Sequence, residues 1–91
     1  MEVRVPHALS PEEVARRIST AALRHDVELV PDASGVRGSL SKDAGFLGSV
    51  RAQYAIEPGA LVVQVSERPA FLPEGTLRRM LEDELHKLVA G

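Results

Sequence analysis

Three histidines are the residues of this chain whose chemistry could most readily serve catalysis or metal binding. His7 follows a proline in a turn, His25 lies near the end of a predicted helix, and His86 lies on the polar side of another helix. A metal site needs ligands that converge, and these three lack the short spacing of zinc-binding motifs. The chain contains no cysteine, which excludes a disulfide, a thiolate ligand and a thiol nucleophile. We therefore predict no metal site and no bound cofactor.

The serines and glycines also form no reaction centre that can be recognised from spacing. Ser10 precedes a predicted helix and is explained as its cap, and no serine has the surroundings of a nucleophile elbow. Glycines occur at positions 35, 38, 45 and 48, but none joins a strand to a helix, as a phosphate-binding loop requires. We therefore predict no catalytic residues and a protein that is not an enzyme.

The elements that position these residues are organised around residues 35–67, which have the pattern of three consecutive antiparallel strands. From Phe46 to Ile56, one face of the predicted strand carries only apolar or small residues and the other is polar except for Leu47 and Ala55, and this period of two is typical of a half-buried strand. The strands before and after it alternate in the same way. One face of this meander should therefore carry the hydrophobic core.

Turn residues predict how the second and third strands of the meander pair. Pro58 and Gly59 occupy favourable places in a tight turn. The turn sets Tyr54 opposite Val63, and in the same register it sets positions 56 and 52 opposite positions 61 and 65. Every pair shares the apolar face, and a slip by one residue would turn all of these side chains to water.

The first turn of the meander is predicted over residues 42–45, with Gly45 in a bulge position. This turn would set Leu40 opposite Phe46 and Gly38 opposite Gly48. Position 36 would then lie opposite position 50.

The first helix has the clearest local signal in the chain. Ser10 is a predicted N-cap, Pro11 stands at the first helical position, and Glu13 completes a capping box. Leu9 and Val14 are placed to form a hydrophobic staple across this start. We predict a helix over residues 11–25.

The remaining elements complete a two-layer architecture. Leucines recur at helical spacing over residues 74–90, which predicts the second helix. Short strands are predicted at residues 2–5 and 27–30. The order is β-α-β-β-β-β-α, and we predict an α+β sandwich in which an antiparallel sheet is covered on one face by helices 11–25 and 74–90. The 91 residues should form a single domain, residues 1–91.

Composition limits the classes of partner. The formal net charge of −2 offers no electrostatic reason to expect a nucleic acid. No stretch approaches the roughly 18 consecutive apolar residues of a transmembrane helix. The first residues lack the basic and then apolar pattern of a signal peptide. We therefore expect a cytoplasmic protein with no transmembrane segment.

Two surfaces of the predicted sheet are candidates for binding. The inward face offers an apolar groove formed by Gly38, Gly48, Val50, Tyr54 and Val63. Its two glycines would thin the sheet beneath a helix. Close packing is the simpler interpretation of these glycines, and a cavity for an apolar ligand is the alternative.

The outward face offers a partner surface formed by Arg37, Arg51, Leu47 and Val62. In the predicted register the two arginines are near-diagonal neighbours that could bind an anion or an acidic partner. The apolar residues could support a homodimer, since sheet faces and exposed edges are common sites of association. An ordinary solvated face is the simpler interpretation.

A family resemblance supplies a biological context. The opening motif is Val3-x-Val5-Pro6-His7-x-Leu9-Ser10-x-Glu12-Glu13. It resembles the N-terminal motif of the polyhydroxyalkanoic acid system protein family, which are small bacterial proteins named for genes encoded with polyhydroxyalkanoate synthesis systems. The likeness continues through the Gly45-Phe46 turn, the strand that ends near Ile56 and the closing helix rich in Glu, Leu and Lys. It covers nearly the whole chain and brings no catalytic residues.

Two hypotheses about function follow, the first from the resemblance together with the absence of catalytic groups and the second from the predicted packing of two helices on a sheet. The first is a non-enzymatic accessory protein of polyhydroxyalkanoate metabolism, which binds at the polymer granule or to a granule-associated protein. The second is a small carrier that holds an acyl or hydroxyacyl ligand between the helices and the sheet. A cavity of several hundred Å³ beneath the helices would favour the carrier, and a solid core would remove it.

Overall fold

Five antiparallel strands form one sheet within residues 1–43, 45 and 48–90, which are the residues that the computed structural model describes. Two helices, α1 and α2, cover one face of this sheet. The elements in chain order are β1 (Glu2–Pro6), α1 (Pro11–Arg24), β2 (Glu28–Pro31), β3 (Arg37–Asp43), β4 (Ser49–Glu57), β5 (Ala60–Glu67) and α2 (Glu74–Val89). The predicted α+β class and the predicted order of elements are confirmed. The strands lie in the spatial order β1-β5-β4-β3-β2, so β1 and β2 form the two edges.

The start of α1 follows from its capping residues. The Ser10 Oγ accepts a hydrogen bond of 3.1 Å from the Glu13 backbone N–H, and Pro11 occupies the first turn. The Glu13 carboxylate turns instead to the guanidinium groups of Arg16 and Arg17, so it is engaged there and not at the backbone of Ser10. The predicted hydrogen bond to the Ser10 side chain is thus present. The Glu13 carboxylate forms ion pairs with two arginines in place of the predicted contact with the Ser10 backbone.

The end of α1 is a Schellman motif that directs the chain into β2. Asp26 has a positive φ of 56°, and the Val27 N–H donates a hydrogen bond of 2.8 Å to the Ala22 carbonyl. The Lys42 Nζ donates a further bond of 2.7 Å to the carbonyl of His25. These donors satisfy carbonyls that a helix end would otherwise leave without partners.

The hairpin between β4 and β5 has the predicted register. Tyr54 lies opposite Val63, Ile56 lies opposite Leu61, and the turn contains Pro58 and Gly59. Gly59 has a φ of 82°, which is the conformation that the third position of a type II turn requires. A bulge follows at Arg51 and Ala52, next to the start of β4.

The predicted pairing of β3 with β4 is wrong by six residues. Gly38 lies opposite Tyr54, not Gly48, and Leu40 lies opposite Ala52. The reason is a longer connection, because β3 continues to Asp43 and β4 begins only at Ser49. Gly48 is part of this connection and has a φ of 101°. The prediction for Phe46 lies outside the described residues.

The core lies between the inward face of the sheet and the two helices. Strands β1, β4 and β5 contribute most of its side chains, and each helix adds a stripe. The buried members are Val3, Val5, Val14, Ile18, Ala52, Tyr54, Ile56, Leu61, Val63, Val65, Leu77 and Val89. Helix α2 packs chiefly over the edge strand β1, and α1 packs over β2 and β4. The two helices also contact each other above the sheet.

Candidate functional site

A groove of about 530 Å³ lies between α1 and α2 and reaches down to the sheet. The helices run in opposite directions along it. The Arg17 side chain, in the middle of α1, donates to the carbonyls of Leu88 and Ala90 at the end of α2. At the other end, His25 lies just past α1 and its Nε2 is 3.7 Å from the Glu84 carboxylate of α2.

The floor and walls of the groove are apolar. Three neighbouring strands form the floor with Leu40 of β3, Tyr54 of β4 and Leu61 and Val63 of β5. The walls consist of small or branched apolar residues from α1 and the turn after it, and of leucines from α2. They are Ile18, Ala21, Ala22, Val27, Leu81, Leu85 and Leu88. Such a lining can hold an apolar chain by removing its surface from water.

The groove is open because α1 presents alanines where α2 presents leucines. Ala21 and Ala22 line this wall with side chains of a single carbon, and Ala22 is itself buried with 7% of its surface exposed. Leu77, near the start of the same α2 stripe, is buried with 5% of its surface exposed. The later leucines of the stripe are only partly buried. The sequence therefore leaves an apolar surface uncovered at this place.

Charged residues form the mouth of the groove. Helix α1 contributes Arg16, Arg17 and Arg24, and α2 contributes Lys87 together with Glu84. The Lys87 Nζ lies 3.7 Å from the Glu84 Oε1. Cations thus outnumber acids at the mouth, above a floor that is apolar.

The pairing of Glu13 holds two of these arginines in place. Hydrogen bonds from Arg16 and then Arg17 lower the pKa of the Glu13 carboxyl to about 2. The same contact raises the pKa of the Arg16 guanidinium. The Arg17 Nε lies 2.8 Å from the Glu13 Oε2, and its Nη1 reaches the two carbonyls at the end of α2. Arg17 therefore connects Glu13, near the start of α1, to the C-terminal end of α2.

Tyr54 forms part of the floor, and its hydroxyl lies over a glycine of the adjacent strand. A Cβ atom placed on Gly38 would lie 2.6 Å from the Tyr54 hydroxyl oxygen. It would also lie 2.7 Å from the Val30 carbonyl oxygen. Burial raises the pKa of the Tyr54 hydroxyl, and the negative charge of Asp32 raises it further. Gly38 thus makes room for the aromatic ring and its hydroxyl.

The structure brings together part of the predicted groove. Tyr54 and Val63 are neighbours in its floor, and Gly38 lies beside Tyr54. Gly48 lies in the connection before β4, where a Cβ atom built on it would lie 3.4 Å from the Pro69 Cα. Val50 pairs with Lys42 near the end of β3 and is not among the residues that line the groove.

The predicted partner surface is not a single cluster. Arg37 lies opposite Ala55 and Arg51 opposite Ser41, so about 13 Å of strand separates the two arginines. They are not the near-diagonal neighbours that the wrong register implied. Arg51 makes an ion pair of 3.0 Å with Glu67.

The two apolar members of that predicted surface are Val62 and Leu47. Val62 is on the outward face but only 8% exposed, between Arg4 and Ala55 on the neighbouring strands. It therefore presents little apolar area to a partner. Leu47 lies outside the described residues.

The three histidines occupy separate places. His7 accepts a hydrogen bond at Nδ1 from the Leu9 N–H, so its Nε2–H is the donor to the Glu57 carbonyl at 3.0 Å. His25 stands at the mouth of the groove, and His86 is exposed on α2. Within residues 1–43, 45 and 48–90, no group of three or more His, Cys, Asp or Glu side chains is placed to hold a metal ion.

Sequence reasoning missed the basic residues at the mouth as parts of the site. A signal for them exists in α1, where Arg17, Ala21 and Arg24 recur at helical spacing beside the apolar stripe. The facing edge of α2 could not be identified without the relative position of the helices.

Comparisons with known proteins add no relative. Models of protein families, curated proteins and solved structures were each compared with this chain, and none matches it. Neither helix in the described part of the chain is both long enough and apolar enough to cross a membrane.

Proposed function

We propose that this protein is a non-enzymatic binding protein that holds an acyl or hydroxyacyl chain in the groove between α1 and α2. The observation that carries the proposal is the open apolar groove of about 530 Å³ between helices that otherwise cover the sheet. This volume falls within the range of roughly 300–1,000 Å³ that is typical of small-molecule sites. Side chains such as those of Tyr54, Val63 and Leu85 bind by burial and place no reactive group against a ligand.

We further propose that the acyl compound belongs to polyhydroxyalkanoate metabolism, and that the protein acts at the polymer granule or on a granule-associated protein. The support is the resemblance of the opening motif, from Val3 to Glu13, to the polyhydroxyalkanoic acid system protein family. The monomers of such polyesters are hydroxyacyl units, so a groove for one hydroxyacyl chain and a role at the granule are chemically consistent.

Binding can be tested with 3-hydroxy acids of increasing chain length by isothermal titration calorimetry on the full chain. Each methylene that enters the groove should strengthen binding about fourfold, because burial of one CH₂ contributes about 0.8 kcal/mol. The gain should stop when the chain exceeds the groove. Affinity that does not depend on chain length would contradict the proposal, as would no binding at millimolar concentration.

A matched pair of variants shows whether the groove is the site. Ala21→Trp places an indole in the groove and should weaken binding of 3-hydroxydecanoate at least about tenfold, because it removes space for several methylenes. Leu23→Trp adds an indole on the same helix, at a side chain that is 85% exposed and does not line the groove. It should bind as the unaltered chain does. Circular dichroism of both variants checks that the fold is kept.

The granule proposal has its own test. A fluorescently tagged copy should gather at granules in polymer-accumulating cells, and the Ala21→Trp variant should stay diffuse if the groove is what binds there. A diffuse signal from the unaltered protein would contradict the role at the granule. The chain-length series would still decide whether an acyl chain is bound.

A further inference from the structure

The basic residues at the mouth of the groove differ in how many protein groups their side chains contact. Arg16 and Arg17 are both held by Glu13, and Arg17 also donates to two backbone carbonyls. Arg24 stands in the last turn of α1 and lines the same mouth. Within the described part of the chain, Arg24 makes neither an ion pair nor a side-chain hydrogen bond.

Lys87, which also lines the mouth, is only loosely paired. Its Nζ is 3.7 Å from the Glu84 Oε1, which is longer than a hydrogen bond. The other oxygen of this carboxylate is 3.7 Å from the His25 Nε2, so one acid is shared between two bases. Arg24 therefore presents positive charge at the opening of an apolar groove, and Lys87 adds a positive charge whose 3.7 Å ion pair is with a carboxylate that His25 also approaches.

We infer that the ligand of the groove is a single-chain amphiphile with an anionic head group, which Arg24 and Lys87 hold at the mouth while the chain lies on the leucines of α2. This inference rests on the proposed function and adds the charge of the ligand. The guanidinium fork of Arg24 matches the two oxygens of a carboxylate, and the lysine ammonium adds a point charge from the other wall. A free 3-hydroxy acid has this chemistry, whereas a neutral ester does not.

The test compares three probes that share a ten-carbon chain and differ in the charge of the head group. Decanoate is anionic, 1-decanol is neutral and decyltrimethylammonium is cationic. Each displaces the neutral fluorophore N-phenyl-1-naphthylamine from the full-length protein, and the loss of fluorescence reports its affinity. Decanoate should bind tightest and the cation weakest. Raising the salt from low to high concentration should weaken only decanoate binding, because the charges at the mouth are exposed.

Variants assign the effect to the two basic residues. Arg24→Gln and Lys87→Gln should each weaken decanoate about fivefold, in line with loss of one exposed charge contact. Neither should change the affinity for 1-decanol. Arg79→Gln is the matched control, because it removes a positive charge from an exposed position of α2 that does not line the groove. It should leave both affinities unchanged.

The outcomes separate this inference from the proposed function. Equal binding of decanoate and 1-decanol, with no effect of Arg24→Gln or Lys87→Gln, would overturn the anionic head group and leave the acyl groove standing. Failure of all three probes to bind would overturn both. A dimer that Ala21→Trp converts to a monomer, in a protein that binds no decanoate, would assign the groove to a second copy of the chain and would also overturn the inference.

Discussion

Replacing Gly38 by alanine tests the placement of the groove floor. A Cβ atom at this position would lie 2.6 Å from the Tyr54 hydroxyl oxygen, 2.7 Å from the Val30 carbonyl oxygen and 2.8 Å from the Pro31 Cα. Two of these neighbours belong to the backbone of β2, so a change of rotamer at Tyr54 cannot relieve the clash. The edge strand must move away from β3, or the tyrosine must leave the floor.

The expected cost follows from two opposing effects. Overpacking a close-packed site costs up to about 3 kcal/mol. Alanine gains about 1 kcal/mol over glycine in a strand, because glycine loses more backbone freedom on folding. The net loss in the free energy of unfolding should be about 2 kcal/mol, which lowers the melting temperature by roughly 8–16 °C for a domain of this size.

The assay is thermal and urea unfolding followed by circular dichroism, with Gly75→Ala as the matched control. No atom lies within 4 Å of a Cβ built on Gly75, which is in the first turn of α2. That substitution should raise the free energy of unfolding by about 0.5–1 kcal/mol, because alanine favours a helix over glycine.

A second variant distinguishes the clash with the Tyr54 hydroxyl from the clash with the backbone of β2. Tyr54→Phe in the Gly38→Ala background removes the hydroxyl and should recover only part of the loss, because the contacts with Val30 and Pro31 persist. If the Gly38→Ala variant were as stable as the unaltered chain, this reasoning would be refuted. That result would mean that Tyr54 does not lie over Gly38 and that β3 and β4 pair in another register.

Three further predictions concern the residues that hold the ends of the helices. His7→Phe keeps a ring but loses both backbone hydrogen bonds, so urea unfolding should show a loss of about 1–2 kcal/mol; an unchanged midpoint would contradict the role assigned to the ring. Arg17→Met keeps the apolar stem but frees the carbonyls at the end of α2 and should cost about 1–2 kcal/mol, whereas Arg79→Met should cost little. The Glu13 carboxyl should titrate by NMR near pH 2 and not near 4.5, because the neighbouring guanidinium groups lower its pKa. Since this pKa is lower when folded, the ion pairs should stabilise the protein fully above about pH 4.5, and that contribution should be lost as the pH falls towards 2.

The parts of the fold that sequence reasoning predicted are those with a local chemical signal. The Pro58-Gly59 turn is two residues long and has one favourable geometry, so it determines the register of β4 with β5. Ser10 and Pro11 determine where α1 begins for a similar reason. In each case the residues that decide the structure are adjacent in the chain.

The β3–β4 register could not be predicted in this way, because alternation reports only the side on which a residue lies. A displacement of six residues is even and leaves the paired residues of β3 and β4 on their predicted faces. Only the connection could have distinguished the two registers. Gly45 and Gly48 both have positive φ there, and a bulge at Gly45 alone was expected.

The opening motif that resembles the polyhydroxyalkanoic acid system protein family has a structural explanation at several positions. Val3 and Val5 are buried in the core, and Ser10 caps α1. His7 joins this segment to the carbonyl of Glu57 at the far end of β4. In this chain these residues join an edge strand to a helix. The groove between α1 and α2 lies elsewhere, on residues that the motif does not contain.

The apolar surface left uncovered in the groove lowers the stability of the fold. This loss favours a binding role for the groove. A leucine at position 21 could cover part of the leucine side chains that now line the groove, with a gain of roughly 1–3 kcal/mol. Proteins are seldom at their stability optimum, and the places where a simple substitution would close a cavity are often sites of function. Here the uncovered apolar surface coincides with the positive charges of Arg24 and Lys87 at the mouth. An imperfectly packed core would account for the leucines alone, whereas a site for an anionic amphiphile accounts for both the apolar lining and the basic mouth.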